Sequence, residues 1–310
     1  MDFESRRQRI LDKMEDNSIA ILYSGIEHHV SADEYDLFTA QANRNFFYLT
    51  GLRRDNMVLV LDKCVEPAKT MLFIEEADPT MERWYGRKVT MEEAEEISGI
   101  DELEYIYELE STLDRIMTRE DVYTAYFDTY RHQKVDLPDY NVVKANEFKT
   151  DYPGIAVKNL FPLVAEERMQ KDEDEIELTQ KAIALTKDGL CNVMANLKPG
   201  MKEYQAQADF EYIIRRGGAE WTAFPTIAGS GMNGTMLHYD TNRETMEDGT
   251  LVLLDLGARI DGYNSDITRT YPVNGRFTER QKQVYDIVLA ANRKIVEAAK
   301  PGMTTKELNE

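Results

Sequence analysis

Residues 251–271 read LVLLDLGARIDGYNSDITRTY, and the reading of this stretch decides the fold of the second half of the chain. The apolar run Leu251 to Leu254 predicts a strand that ends in a carboxylate, Asp255. Asp261-Gly262 is a strong signal for a two-residue hairpin loop, because the favoured turns need residues that tolerate positive φ. With those two residues as the loop, Ile260 faces Tyr263 and Asp255 falls opposite Thr268. Asp266 lies two residues before Thr268, hence on the same face of the ribbon. The two carboxylates become diagonal neighbours, with Cα atoms about 7–8 Å apart. That separation suits two carboxylates converging on a pair of metal ions about 3.5–4 Å apart. A four-residue loop keeps the pairing, whereas an odd-numbered loop would put the aspartates on opposite faces. An acid closing the run LVLL is expected to be buried, which is costly unless a cation compensates it. Two exposed aspartates on a polar hairpin face are the competing reading.

Just upstream lies FPTIAGSGMNG, residues 224–234, followed by TMLHY, residues 235–239. Gly229, Gly231 and Gly234 satisfy G-x-G-x-x-G literally, but no helical period follows to present its N-terminus to a pyrophosphate. The glycines are read instead as letting the backbone bend close to a site. His238, seventeen residues ahead of Asp255 and placed in the same predicted sheet, is a candidate proton carrier or substrate ligand. His28 and His29 are adjacent, so on a strand they point to opposite faces and do not share a metal. His132 has no acidic or cysteine partner at metal spacing.

Further out, the chain divides. Its 310 residues suggest two domains at roughly 150 residues each. The first half alternates short strands (residues 19–23, 57–61, 71–74 and 122–127) with helices (5–14, 81–97 and 108–119), which predicts a mixed sheet with helices on its faces. A boundary is expected near 165–175. There the acidic stretch 166–177 opens a long helix through Leu197, with Asp172 or Asp174 as its cap. Lys198-Pro199-Gly200-Met201 recurs 102 residues on as Lys300-Pro301-Gly302-Met303, and the helices before each align in polarity at that offset, Ala182 with Val284 and Val193 with Ile295. Thr278 and Gln281 form a capping box at the start of the second helix. As an internal repeat, the second unit is short by roughly 70 residues relative to the first.

Composition excludes several functions. With 37 basic against 57 acidic residues, the net charge of −20 rules out a phosphate-neutralising surface for nucleic acid and argues against docking on anionic membranes. The 42% hydrophobic content is enough for two sizeable cores. Two isolated cysteines, Cys64 and Cys191, fit neither a zinc finger nor a disulfide scaffold and suit a reducing cytosol. No secretory signal opens the sequence and no run reaches 18 apolar residues, so a soluble, cytoplasmic protein is expected.

Residues 165–310 closely resemble the Xaa-Pro aminopeptidase (aminopeptidase P) and prolidase family of pita-bread metallopeptidases. The motifs that carry the resemblance are FPTIAGSG, LHY (237–239), DGTLVLLDLGA, GYNSDITRTYPVNGRFT and the KPGM turns. Residues 1 to about 160 look like that family's N-terminal, creatinase-like domain, notably NFFYLTG at 45–51. The resemblance implies an α/β N-terminal domain (1–165) followed by an α+β pita-bread catalytic domain (166–310), incomplete in this chain. It also implies a dinuclear site, usually Mn2+ with Co2+ or Zn2+ compatible, held by two Asp, one His and two Glu. Asp255 and Asp266 fall on the first two metal ligands, and His238 on an active-site histidine that contacts substrate. The implied substrates are peptides with proline at the second position, and a homo-oligomer, dimer or tetramer, is expected. No histidine follows His238, so the remaining implied ligands have no counterpart up to Glu310, and little or no peptidase activity is expected of the 310 residues alone. An Xaa-Pro dipeptidase, or a non-catalytic binding or dimerisation module, are the alternatives.

Overall fold

The computed structural model describes residues 1–27, 29–31, 34–35, 42–119, 121–136 and 138–309, and these form two compact units, Met1–Lys171 and Asp172–Glu310. The reading of the His28–His29 pair falls outside the described residues, because His28 does.

The first unit is built on a six-stranded mixed sheet in the order β6-β5-β4-β1-β7-β8. Its strands are β1 (Ser18–Tyr23), β4 (Val58–Asp62), β5 (Lys69–Ile74), β6 (Glu102–Tyr105), β7 (Thr124–Phe127) and β8 (Ala156–Asn159); β2 (His29–Ser31) and β3 (Glu34–Tyr35) pair separately. Alternation along β1 divides the core. Ile19, Ile21 and Tyr23 face α5 (Leu109–Met117) and α6 (Tyr140–Asp151), packing on Leu113, Ile116 and Phe148. Ala20 and Leu22 face the other way, toward α1 (Phe3–Lys13), α2 (Arg44–Thr50), α4 (Met91–Ser98) and α7 (Phe161–Met169), among Ile10, Phe46, Ala94 and Val164. Helices therefore cover both faces, and β1 and β4 are buried along their whole length, as strands covered on both sides must be.

Several sequence expectations are corrected here. The single helix expected over 81–97 is two, α3 (Pro79–Tyr85) and α4, separated at Gly86 and restarted by a capping box between Thr90 and Glu93. The helix expected from Glu108 begins as a 3-10 turn over Ile106–Glu108, with α5 following. The acidic stretch 166–177 does not belong to one helix: Glu166 and Glu167 sit on α7, which ends at Met169. A new helix, α8 (Glu173–Asn196), starts at Asp172, whose carboxylate accepts from the Glu175 amide in a capping box.

The second unit stacks α8 and α9 (Glu203–Arg216) beneath two three-stranded sheets. One has the order β10-β11-β14, from β10 (Ile227–Ser230), β11 (Leu251–Leu256) and β14 (Ile267–Pro272). The other runs β13-β12-β9, from β9 (Trp221–Thr222), β12 (Ala258–Ile260) and β13 (Tyr263–Asn264). Its core joins Leu190, Val193, Phe210 and Ile214 of the helices to Val252, Leu254 and Leu256 of β11. Gly189 lets the two helices approach: a Cβ there would stand 2.5 Å from the Phe210 ring.

The KPGM echo has a structural counterpart. α10 (Glu279–Ala298) opens with the expected Thr278–Gln281 box, and Gly200 and Gly302 both take positive φ, +88° and +91°. Where Ala182 and Val193 of α8 are fully buried, Val284 and Ile295 of α10 are exposed, and α10 buries no residue. After it comes α11 (Thr305–Asn309).

Two arginines of α1 tie the first unit together. Arg7 Nη1 donates to the Leu49 carbonyl at 2.9 Å and the Ser98 carbonyl at 2.8 Å, and Arg6 Nη1 to the Tyr48 carbonyl at 3.1 Å. They thus satisfy C-terminal carbonyls of α2 and α4 that no helical amide can reach. Burial lowers the Arg7 pKa to about 10. Replacing it by leucine strands two buried carbonyls. Arg7→Leu is expected to destabilise the first unit by about 3 kcal/mol, measured by amide exchange of the β1 and β4 strands; a loss below about 1 kcal/mol would show those carbonyls to be otherwise satisfied.

Candidate metal centre

β11 pairs with β14 in the register expected from the sequence: Asp255 lies opposite Thr268, Leu256 opposite Ile267, and Ile260 opposite Tyr263. The ribbon is not continuous, however. It breaks at Gly257 and at Ser265-Asp266, so that its outer part joins a different sheet. The break is pinned from below. Ser265 Oγ lies 2.6 Å from Thr186 Oγ1 of α8, and the Ala258 amide donates to Thr186 Oγ1 at 2.8 Å and to Ser265 Oγ at 3.0 Å. The Ser265 amide donates back to the Ala258 carbonyl at 3.0 Å. Gly257 is required by this crossing: a Cβ there would come 1.9 Å from the Ser265 carbonyl oxygen.

Asp255 does not enter the core. Residues along β11 alternate, with Val252, Leu254 and Leu256 buried and Leu251, Leu253 and Asp255 half-buried on the opposite face. The expectation of a carboxylate buried at the end of an apolar run is corrected accordingly. Thr268 Oγ1 donates to Asp255 Oδ1 at 2.7 Å. The two aspartates are close enough to feel each other. The Asp266 carboxyl is held above the usual carboxylate range, first by desolvation, then by the Asp255 charge and a hydrogen bond with it.

His238 is not on a strand as expected. It sits in an exposed turn after a 3-10 helix, Gly231–Thr235, that follows β10. No α-helix follows the three glycines, so they offer no helix N-terminus to a dinucleotide. His238 nonetheless lines the same cavity of about 390 Å³ as Asp255 and Asp266, together with Phe224, Pro225, Ile227 and Asp240. The sequence reading had not singled out Asp240. His132 lies elsewhere, its Nδ1 3.3 Å from the Tyr130 hydroxyl. Cys64 and Cys191 are both free.

Glu203, at the start of α9, anchors the loop that carries His238, and sequence reasoning missed it. It is fully buried and accepts five hydrogen bonds. Oε1 takes the Ser230 amide and hydroxyl and Asn233 Nδ2; Oε2 takes the Tyr239 hydroxyl at 2.7 Å and the Glu244 amide at 3.0 Å. Burial alone would raise its pKa. The donors, led by the Ser230 amide and the Tyr239 and Ser230 hydroxyls, outweigh that and hold the carboxyl below its ordinary value.

Two neighbouring carboxylates, one with its pKa raised by desolvation and then by the other, face a cavity with a histidine, a donor set that a cation would relieve. Among the described residues no group of three or more His, Cys, Asp or Glu is gathered at metal-holding distance. Oxygen-rich donors suit Mn2+ and accommodate other divalent ions.

The chain matches two family models: aminopeptidase P, N-terminal domain, over residues 3–126, and metallopeptidase family M24 over residues 177–310. The Xaa-Pro aminopeptidase of Escherichia coli K12 is 32% identical over 315 residues, covering 99% of this chain and 70% of that protein. A solved Bacillus anthracis protein, provisionally classed as an aminopeptidase P, is 40% identical with a TM-score of 0.95, covering 99% of this chain and 73% of that one. Aminopeptidase P from E. coli, solved with the inhibitor Pro-Leu, gives a TM-score of 0.87 at 32% identity, covering 99% and 70%; the same enzyme has been solved zinc-substituted in complex with product. The chain belongs to the aminopeptidase P family of M24 metallo-aminopeptidases. Its expected pita-bread, creatinase-like architecture holds, and it spans about 70% of the length of the E. coli enzyme.

Two substitutions test the positioning elements. Gly257→Ala is expected to destabilise the second unit by about 3 kcal/mol, because the crossing at Ser265 must open; unfolding at wild-type denaturant concentration would contradict the close approach. Glu203→Gln is expected to cost about 2–3 kcal/mol at pH 7, read from exchange of the Ser230 and Glu244 amides. Because folding lowers this pKa, the ionised form contributes fully above the ordinary glutamate value of about 4.3 and its contribution fades as pH falls through the lowered folded value. The gap between wild type and Glu203→Gln should therefore narrow at pH 3; a gap independent of pH would contradict it.

Proposed function

We propose that this chain carries the first metal ligands of an Xaa-Pro aminopeptidase, Asp255 and Asp266, and the substrate-contacting histidine, His238. The observation that carries the reading is the convergence of those three side chains on one cavity in a chain of the M24 family. Residues up to the 165–172 stretch form the N-terminal domain in this reading, and the remainder the metal-bearing domain. A divalent metal pair, Mn2+ by preference for carboxylate oxygens, supplies Lewis acidity toward the peptide carbonyl and its water when bound.

The chain's own residues do the rest. Asp255 is oriented by the Thr268 hydroxyl, and the Ser265–Thr186 contact holds the backbone from which Asp266 projects. Exposed and without a hydrogen-bond partner among the described residues, His238 is free to donate to the carbonyl of the residue before proline as negative charge builds there. Phe224, Pro225 and Ile227 give the cavity an apolar wall against which a substrate side chain packs and excludes water. Free Cys64 and Cys191 favour a cytoplasmic setting, and no described helix is long and apolar enough to cross a membrane.

The test is hydrolysis of an Xaa-Pro peptide, with its Xaa-Ala counterpart as control, by protein purified from its natural source and supplied with Mn2+. Release of the N-terminal residue from the proline peptide alone is expected, falling by about 10³-fold in Asp266→Asn and about 10²-fold in His238→Ala. Equal cleavage of both peptides, or full activity in Asp266→Asn, would overturn the reading. The 310 residues alone are expected to turn over little or not at all, since their described donors are too few.

A further inference from the structure

A second cavity, of about 650 Å³, opens in the first unit between α5 and α6, over the sheet face that carries Tyr23 and Val58. Its volume falls in the range of roughly 300–1,000 Å³ usual for ligand sites. Val58, Leu113 and Phe148 give it an apolar floor, and the rings of Tyr23, Tyr107, Tyr140 and Tyr152 line it. Its rim is acidic. Glu110 and Asp114 lie four apart on α5, and Glu147 and Asp151 four apart on α6, so each pair shares a helix face. Four carboxylates thus meet one cation, Lys144.

An acidic rim by itself is solvated surface, but three further observations point to a cationic occupant. First, Tyr23 is only 9% exposed, yet its hydroxyl has no hydrogen-bond partner among the described residues. The ring stands edge-on to Tyr140, at 5.5 Å between centroids. Tyr23 lines the cavity together with Glu110 of α5 and Glu147 of α6, and burial, then Tyr140 and these neighbours, push its pKa up. Second, Lys144 already realises the recognition geometry: its Nζ lies 5.4 Å from the Tyr140 ring centroid and 2.8 Å from Glu147. Third, Glu110 and Asp151 make no ion pair or side-chain hydrogen bond among the described residues.

We propose that this cavity binds the arginine side chain of a basic peptide segment. The aliphatic stem would lie on Val58 and Leu113, and the guanidinium would stack on Tyr140 between Glu110 and Glu147, donating to the Tyr23 hydroxyl. A guanidinium fits better than an ammonium because it stacks on aromatic faces and donates to carboxylates bidentately. Phosphate-bearing ligands are repelled by the rim. The inference concerns the first unit alone and does not depend on the peptidase reading.

The test is calorimetric titration of the chain with acetyl-Phe-Arg-amide, blocked at both ends so that it presents no free N-terminus to a peptidase site. Saturable one-site binding is expected, at least about tenfold tighter than for acetyl-Phe-citrulline-amide, which keeps the shape and lacks the charge. The double variant Glu110→Gln/Glu147→Gln should lose about tenfold or more, and Tyr23→Phe about threefold. Lys144→Ala should tighten binding severalfold by removing the resident competitor, a gain that misfolding cannot imitate. Equal binding of the citrulline peptide, no saturation at millimolar peptide, or no gain in Lys144→Ala would each overturn the proposal.

Discussion

The second unit depends on a backbone crossing: the close approach of Gly257 to Ser265 and the β11–β14 register set the backbones of Asp255 and Asp266 side by side. Register places Asp255 opposite Thr268, and the break at Gly257 and Ser265 turns Asp266 toward it. The backbones that carry the two aspartates are fixed by the β11–β14 register and by the contact of Ser265 with Thr186. Desolvation first, and then the neighbouring Asp255, raise the Asp266 pKa, and a bound cation would offset both. A carboxyl perturbed in this way, beside a second carboxylate on one cavity, is a functional-site candidate.

Around that crossing a buried carboxylate ties the loop segments down. Glu203 collects the end of β10, the 3-10 helix after it, Tyr239 and the strand-like segment at Glu244 onto one carboxylate. His238, next to Tyr239, is therefore delivered to the cavity by a buried anchor rather than by its own contacts. The first unit solves a different problem, sealing a sheet on both faces and closing helix ends with Arg6 and Arg7.

Much of this was legible in the sequence, for identifiable reasons. The Asp261-Gly262 turn fixed the register that sets Asp255 opposite Thr268, two residues from Asp266. In the six-stranded sheet, the four strands anticipated, β1, β4, β5 and β7, are the interior ones; the two not anticipated there, β6 and β8, are its edges. Edge strands bury little, and ELEY and AVKN accordingly carry no apolar run. The helix break at Gly86 carried a readable signal, Thr90 followed by Glu93, overridden by the helical period around it. Glu203 had none, because its partners lie 27 to 41 residues away and only the fold assembles them. His238 was misplaced onto a strand for want of any local mark of the 3-10 turn before it.

The central claim is that Asp255 and Asp266 hold metal together. Metal content by mass spectrometry, on protein isolated from its natural source without added ions, tests it most directly. The account predicts bound divalent metal in the wild type and its loss from both Asp255→Asn and Asp266→Asn, with secondary structure unchanged. Metal retained in full by either variant, or a wild-type protein free of metal, would contradict it.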